Sequence, residues 1–229
     1  MRRWFLVAAA AGLALTAGCS GKTPAPPATP PPPASSGAQG QPGAAGVRPK
    51  PEEVGQARTE LGKLKVVTWA PMKGYSREKF KHWTSQGESC DTREFVLRRE
   101  GEDVTTDKSC KVLSGKWRSA YDDKVLTGPG ELDIDHTVPL ANAWRTGAAE
   151  WTDERRSEFA NDTRNPQLLA VSAASNRSKG DQDPSQWKPP ATGVWCGYAV
   201  HWIKVKAVYS LGVTEAERTA LTDMLGHCK

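Results

Sequence analysis

The sequence predicts an α+β domain, and three observations lead there. Leu132 to Val138 alternates Leu132, Ile134 and His136 against Asp133, Asp135 and Thr137, as a strand with one face turned inward does. A second short apolar run, Leu168-Leu169-Ala170-Val171, follows after a stretch with helical signals. Around these strands lie further segments with helix-start residues, the last two of them filling the C-terminal tail.

Taken in order, Val54, Ala57, Leu61 and Leu64 recur at three and four residues, which predicts an amphipathic helix ahead of an extended Val66-Val67. Pro71 and Gly74 mark a loop. Asp91-Thr92-Arg93 opens a short helix through Arg99, with Asp91 or Thr92 as its cap. Cys110 to Trp117 and Lys124 to Leu126 read as strands joined by a polar turn around Tyr121-Asp122-Asp123. Pro139 suits the first turn of a helix through Thr146, and Thr152-Asp153-Glu154 starts another that runs to Phe159. Ser172 or Ser175 caps the helical turn carrying Asn176. The tail holds helices over Gly197 to Leu211 and Thr214 to Leu225, parted by Gly212.

Ahead of the domain, Met1-Arg2-Arg3 and the largely apolar run Trp4 to Gly18 form an export signal over residues 1–19. That run is short for a membrane-spanning helix, which needs about 20 apolar residues. Leu15-Thr16-Ala17-Gly18-Cys19 resembles the lipobox of bacterial lipoproteins and makes Cys19 the residue to be lipidated, although Thr16 stands where Leu is usual. Ordinary secretion is the alternative. Arg2-Arg3-Trp4-Phe5-Leu6 is also similar to a twin-arginine signal, so the export route stays open. Residues 20–51 are mainly Pro, Ala, Gly and Ser, too poor in apolar side chains to offset the entropy of ordering, and read as a tether. Residues 52–229 remain, enough for one domain. The expected location is the outer face of the cell membrane, through a lipid anchor at Cys19, or the medium.

Four cysteines lie in the domain, Cys90, Cys110, Cys196 and Cys228, with no C-x-x-C pair. In an exported chain this even number favours two disulfides. Of the three pairings, Cys90 with Cys110 and Cys196 with Cys228 is preferred because each closes a local loop. A structural zinc site drawing on His201 or His227 is the alternative, though the spacing fits no common zinc pattern. The formal charge of +5 falls by two when Arg2 and Arg3 leave with the signal. So small an excess neither demands nor excludes a nucleic-acid partner, which needs a local basic surface.

A strand ending in adjacent Asp and His, a connecting segment, and a second strand leading into a helix that bears Asn is the layout of the ββα-metal motif. Asp133-Ile134-Asp135-His136-Thr137-Val138-Pro139-Leu140, Phe159-Ala160-Asn161-Asp162, Pro166-Gln167-Leu168-Leu169-Ala170-Val171 and Asn176-Arg177-Ser178-Lys179-Gly180-Asp181-Gln182-Asp183-Pro184 resemble the HNH endonuclease family, and within it proteins related to the C-terminal domain of GmrSD-type restriction enzymes. The resemblance takes in Gly74-Tyr75-Ser76-Arg77 and Cys90-Asp91-Thr92-Arg93 and spans roughly residues 55–229. It implies a ββα-metal core with additional helices, hydrolysis of phosphodiester bonds in DNA or RNA, and products with 5′-phosphate and 3′-hydroxyl ends.

The residue types agree with that chemistry. Phosphodiester hydrolysis needs an activated water, a cation against the phosphate and a stabilised leaving oxygen. His136 is the expected general base, since an imidazole titrates near pH 6.5. Adjacent strand residues point to opposite faces, so Asp135 reaches a metal only where the strand bends or ends. Asp135 and Asn176 are then the expected oxygen ligands, which suit Mg²⁺ or Mn²⁺. Zn²⁺ is less favoured, because Asn176 stands where the family name has His. Lys179, three residues after Asn176, is expected to hold a phosphate or the leaving group. The middle position of the motif falls to Asn165, with Gln167 as the alternative. Arg93 and Arg177 are candidate phosphate contacts, and Arg93 could equally be a salt-bridge partner.

His82, His201 and His227 read as structural or surface residues, and Asp181 and Asp183 as shaping the turn before Pro184. The expected protein is a monomeric nuclease acting mainly on DNA. The nine tryptophans support a second reading, a non-catalytic envelope lipoprotein that binds carbohydrate or protein through exposed aromatics. One of them, Trp4, belongs to the signal.

Overall fold

Helix-start chemistry frames the domain. The computed structural model describes residues 49–229; the signal, Cys19 and all but the end of the tether lie outside the described residues. Glu53 accepts the Lys50 backbone N–H at 2.8 Å, and Pro51 opens α1 (Pro51–Lys63) where its missing N–H is not needed. Beyond α1, Val67 donates to the Val213 carbonyl at 2.8 Å, which fixes the expected extended segment against the tail.

A two-stranded hairpin, β1 (Ser85–Gly87) with β2 (Cys90–Asp91), leads into α2 (Thr92–Glu100), whose cap Asp91 accepts the Glu94 N–H at 2.9 Å. The chain returns through β3 (Glu102–Thr106), β4 (Val112–Arg118) and β5 (Val125–Leu126), an antiparallel sheet in that order. The strand expected from Cys110 begins at Val112 instead. Cys110 has φ 68°, a left-handed conformation that a strand cannot hold. Tyr121, expected in a polar turn, is buried, because its hydroxyl finds a partner across the domain.

Next come β6 (Leu132–His136), α3 (Leu140–Thr146), α4 (Asp153–Ala160), β7 (Leu168–Ser172) and α5 (Ala173–Lys179). Strands β6 and β7 pair antiparallel from Leu132 opposite Ser172 to His136 opposite Leu168. Alternation divides their side chains between two cores. Leu132, Ile134, Leu168 and Ala170 join Val96, Leu97, Val112 and Trp117 in the smaller one, while Leu169 and Val171 face the larger one built by the helices. Helix α5 starts at Ser172, whose hydroxyl accepts the Ser175 N–H at 3.2 Å, and packs on both strands. It stops at Gly180, whose φ of 52° favours a residue without Cβ.

Helices α6 (Trp195–Val208) and α7 (Glu215–Gly226) close the larger core. Between them Lys206 and Glu217, both fully buried, meet at 3.0 Å, and Asn142, Thr146 and the Gly212 carbonyl surround the ammonium as further acceptors that share its hydrogens. The two disulfides form as preferred. Cys90–Cys110 ties the hairpin to the turn ahead of β4, and Cys196–Cys228 ties the start of α6 to the residues after α7. Among the described residues, no helix is long and apolar enough to cross a membrane. The mixed α+β class is as expected.

Candidate active site

Where β6 ends and α5 ends, the chain leaves a cavity of about 240 Å³ lined by Arg77, Asp135, His136, Asn176, Arg177, Gly180 and Asp181, with Ile134, Pro139 and Leu140 beneath them. His136 and Asp135 are successive strand residues that leave β6 on opposite sides. Both border this space because the strand stops there.

His136 is 4% exposed. Its Nε2 lies 2.9 Å from the Ala160 carbonyl at the end of α4. The last carbonyls of a helix have no partner within it, so Ala160 can accept a hydrogen from outside. A carbonyl only accepts, so Nε2 carries the hydrogen and Nδ1 of the neutral ring keeps a lone pair. Burial pushes the imidazole down to about 3, with Arg77, His82 and Lys179 opposing its positive form as well. Trp83 lies over the ring at 5.9 Å between centroids and 29° between planes.

Between pH 6.5 and 3 the unfolded chain takes up a proton on His136 that the folded chain refuses. Stability from this group is therefore complete above pH 6.5 and falls as the pH drops through that window. The expected result is a urea midpoint that declines over that range, and declines less steeply in His136→Ala. Equal slopes in the two proteins would remove His136 from the acid response.

Asp135 is held from the opposite side. Its Oδ2 accepts hydrogen bonds from Tyr121 Oη at 2.5 Å and Lys179 Nζ at 2.7 Å, which leaves Oδ1 for the cavity. Burial pushes this carboxyl up and the Lys179 ammonium down, and their contact opposes both shifts. Lys179 is fully buried and its second bond goes to the His136 carbonyl at 2.9 Å, so it faces inward rather than toward a phosphate in the cavity. Asn176 donates its amide hydrogen to Asp133 at 3.0 Å, which orients the side chain and leaves its oxygen unused.

The remaining candidates divide. Arg177 lines the cavity. Arg93 does not; its guanidinium binds Glu94 and the carbonyls of Pro129 and Leu132, at the far end of β6. Asn165 also lies elsewhere, with its amide on Asp162 at 2.8 Å. Gln167, the alternative for the same position, is fully buried and clamps the residue two beyond His136. Its Oε1 accepts the Val138 N–H at 3.1 Å and its Nε2 donates to the Val138 carbonyl at 2.9 Å. Thr137 completes the clamp with a bond to the Gln167 carbonyl at 2.7 Å.

Arg77 was not expected here. It belongs to a short 3-10 turn, Arg77–Lys79, brought to the cavity from more than fifty residues upstream; the motif Gly74-Tyr75-Ser76-Arg77 marks the segment but not its place in the site. Among the described residues, no group of three or more His, Cys, Asp or Glu side chains could hold a metal. The cavity's oxygen donors are instead the carboxylates of Asp135 and Asp181 and the amide of Asn176. That set fits a hard cation that keeps several waters, as Mg²⁺ does, and not a soft one. Of the eight tryptophans among the described residues, Trp117, Trp144 and Trp202 are buried and the other five are half-buried.

A sequence family described as GmrSD restriction endonucleases, C-terminal domain, matches residues 89–224. A protein of Arthroderma benhamiae named "Uncharacterized secreted protein" is 51% identical over 183 residues, covering 79% of this chain and 90% of its own length. No solved structure matches the chain.

Proposed function

We propose that this chain, which belongs to the family of the GmrSD restriction endonuclease C-terminal domain, is an exported HNH nuclease that hydrolyses phosphodiester bonds in DNA. The observation that carries the reading is the fixed His136 tautomer. An imidazole with Nε2–H on the Ala160 carbonyl and a free Nδ1 borders a cavity whose other polar walls are Asp135, Asp181, Asn176 and two arginines. The order β6, β7, α5, with Asp135 and His136 closing the first strand and Asn176 on the helix, supports a ββα-metal core.

In this reading His136 takes the proton of the attacking water through Nδ1. Arg77 and Arg177 draw the phosphate into the cavity, and their planar donors suit its oxygens. Asp135 and Asn176 would hold Mg²⁺, which would supply positive charge against the phosphate and the leaving oxygen. Lys179 and Tyr121 keep Asp135 in place. Gln167 keeps the turn after His136 in place. Asn165 and Arg93 support the scaffold, through Asp162 and the start of β6. The name of the fungal relative and the two disulfides support an extracellular site of action; lipid attachment at Cys19 is part of the proposal, as is a monomeric state.

Supercoiled plasmid incubated with the purified protein tests this. Nicked and linear forms are expected with Mg²⁺, and intact plasmid once EDTA is added. Plasmid left intact under every condition would overturn the nuclease reading, and cutting that survives EDTA would overturn the metal.

A further inference from the structure

We propose that Trp83 is the positioning residue of the general base: its indole holds the His136 imidazole in the one orientation that keeps Nε2 on the Ala160 carbonyl and Nδ1 free. This rests on the nuclease reading of the site and says how its base is kept ready.

Three observations carry it. The first is contact: the indole lies nearly parallel to the imidazole, 5.9 Å away and 29° inclined. A stacked neighbour of that size resists rotation of the ring about its Cβ–Cγ bond and so reinforces the hydrogen bond from Nε2 to Ala160. The second is backbone conformation. Trp83 has φ 58°, a left-handed position that bulky residues rarely occupy and that persists only where surrounding structure imposes it.

The third is what imposes it. Asn161 brackets the segment, since its Nδ2 donates to the Lys81 carbonyl at 2.8 Å and its Oδ1 accepts the Thr84 N–H at 3.0 Å. Ser157 also donates to the Lys81 carbonyl, at 2.9 Å. Asn161 directly follows Ala160, so the end of α4 holds both the histidine's hydrogen-bond partner and the loop that presents the indole. His82 closes the other side. Its Nδ1 lies 2.8 Å from the Phe80 carbonyl, and its ring meets Trp83 edge-on at 5.2 Å. Neither Trp83 nor His82 lines the cavity, so the indole acts through His136 and not on substrate.

The test compares the full chain with Trp83→Gly and Trp83→Phe. Glycine removes the ring and suits the left-handed backbone; because Trp83 also packs on the smaller core, thermal unfolding is followed alongside and spectra and rates are taken well below the variant's midpoint. Phenylalanine restores a ring face. Long-range ¹H–¹⁵N spectra at pH 7 report the His136 tautomer without DNA or metal, with the signal assigned by its loss in His136→Ala. The expected result is one tautomer, Nε2–H, in the parent and in Trp83→Phe, and a mixture in Trp83→Gly. On plasmid or oligonucleotide, Trp83→Gly should lower kcat by about 10–100-fold, the scale of a misplaced catalytic group, with KM within about twofold. Trp83→Phe should recover most of the loss.

A single unchanged tautomer in Trp83→Gly would overturn the proposal, and so would a raised KM with unchanged kcat, which would make Trp83 a substrate contact. If the parent does not cut DNA, the spectra still decide the positioning claim, and only the nuclease reading falls.

Discussion

Replacing His136 with alanine is expected to lower kcat on plasmid DNA by about 10²–10⁴-fold, the usual contribution of a positioned general base. KM should change little, because the phosphate is drawn in by Arg77 and Arg177 and not by the imidazole. The substitution also leaves the Ala160 carbonyl without its donor, and a buried group stripped of its partner costs about 1–3 kcal/mol. Thermal unfolding must therefore be followed alongside, and the rate compared well below the variant's midpoint. His136→Gln is a useful companion, since its amide Nε2 can reach and donate to the Ala160 carbonyl but cannot accept a proton at neutral pH. Both variants should be equally inactive while differing in stability. Retained cutting in either would move the base elsewhere.

Much of this arrangement is legible in the chain. Helix starts carry their signals locally: Asp91, Thr152, Ser172 and Thr214 each accept a backbone N–H in the first turn. Strands β6 and β7 are legible because each is apolar on a buried face. Strand β3 is not, since Glu102-Asp103-Val104-Thr105-Thr106 offers a single apolar side chain and is exposed along most of its length. The site divides on the same ground. His136, Asp135 and Asn176 belong to short ordered motifs, whereas Tyr121, Trp83 and Arg77 reach the centre through tertiary packing that no neighbour in sequence records. Lys179 illustrates a local rule outweighed. Three residues along a helix leaves it rotated by about 60° from Asn176, and its long stem carries the ammonium under the sheet to Asp135.

That inward lysine gives the largest expected effect on stability. Lys179→Met removes the only cation within hydrogen-bond distance of the buried Asp135 carboxylate among the described residues, and leaves Tyr121 as its sole partner. Breaking a buried ion pair from one side costs about 3–5 kcal/mol, because the remaining charge has lost both water and partner. The measurement is a urea midpoint at pH 7, with an unchanged denaturant slope showing that the folded state is otherwise the same. A loss under about 1 kcal/mol would mean that Asp135 is neutral in the folded protein, against the carboxylate ligand proposed here. Adding Asp135→Asn should return part of the lost stability, since an uncharged pair has less to regain from water. It should return none of the activity, because Lys179 also holds the His136 carbonyl and the amide brings no charge to a cation. The two readouts thus separate the scaffold role of the pair, which a neutral replacement can mend, from its role in presenting an oxygen to the cavity, which it cannot.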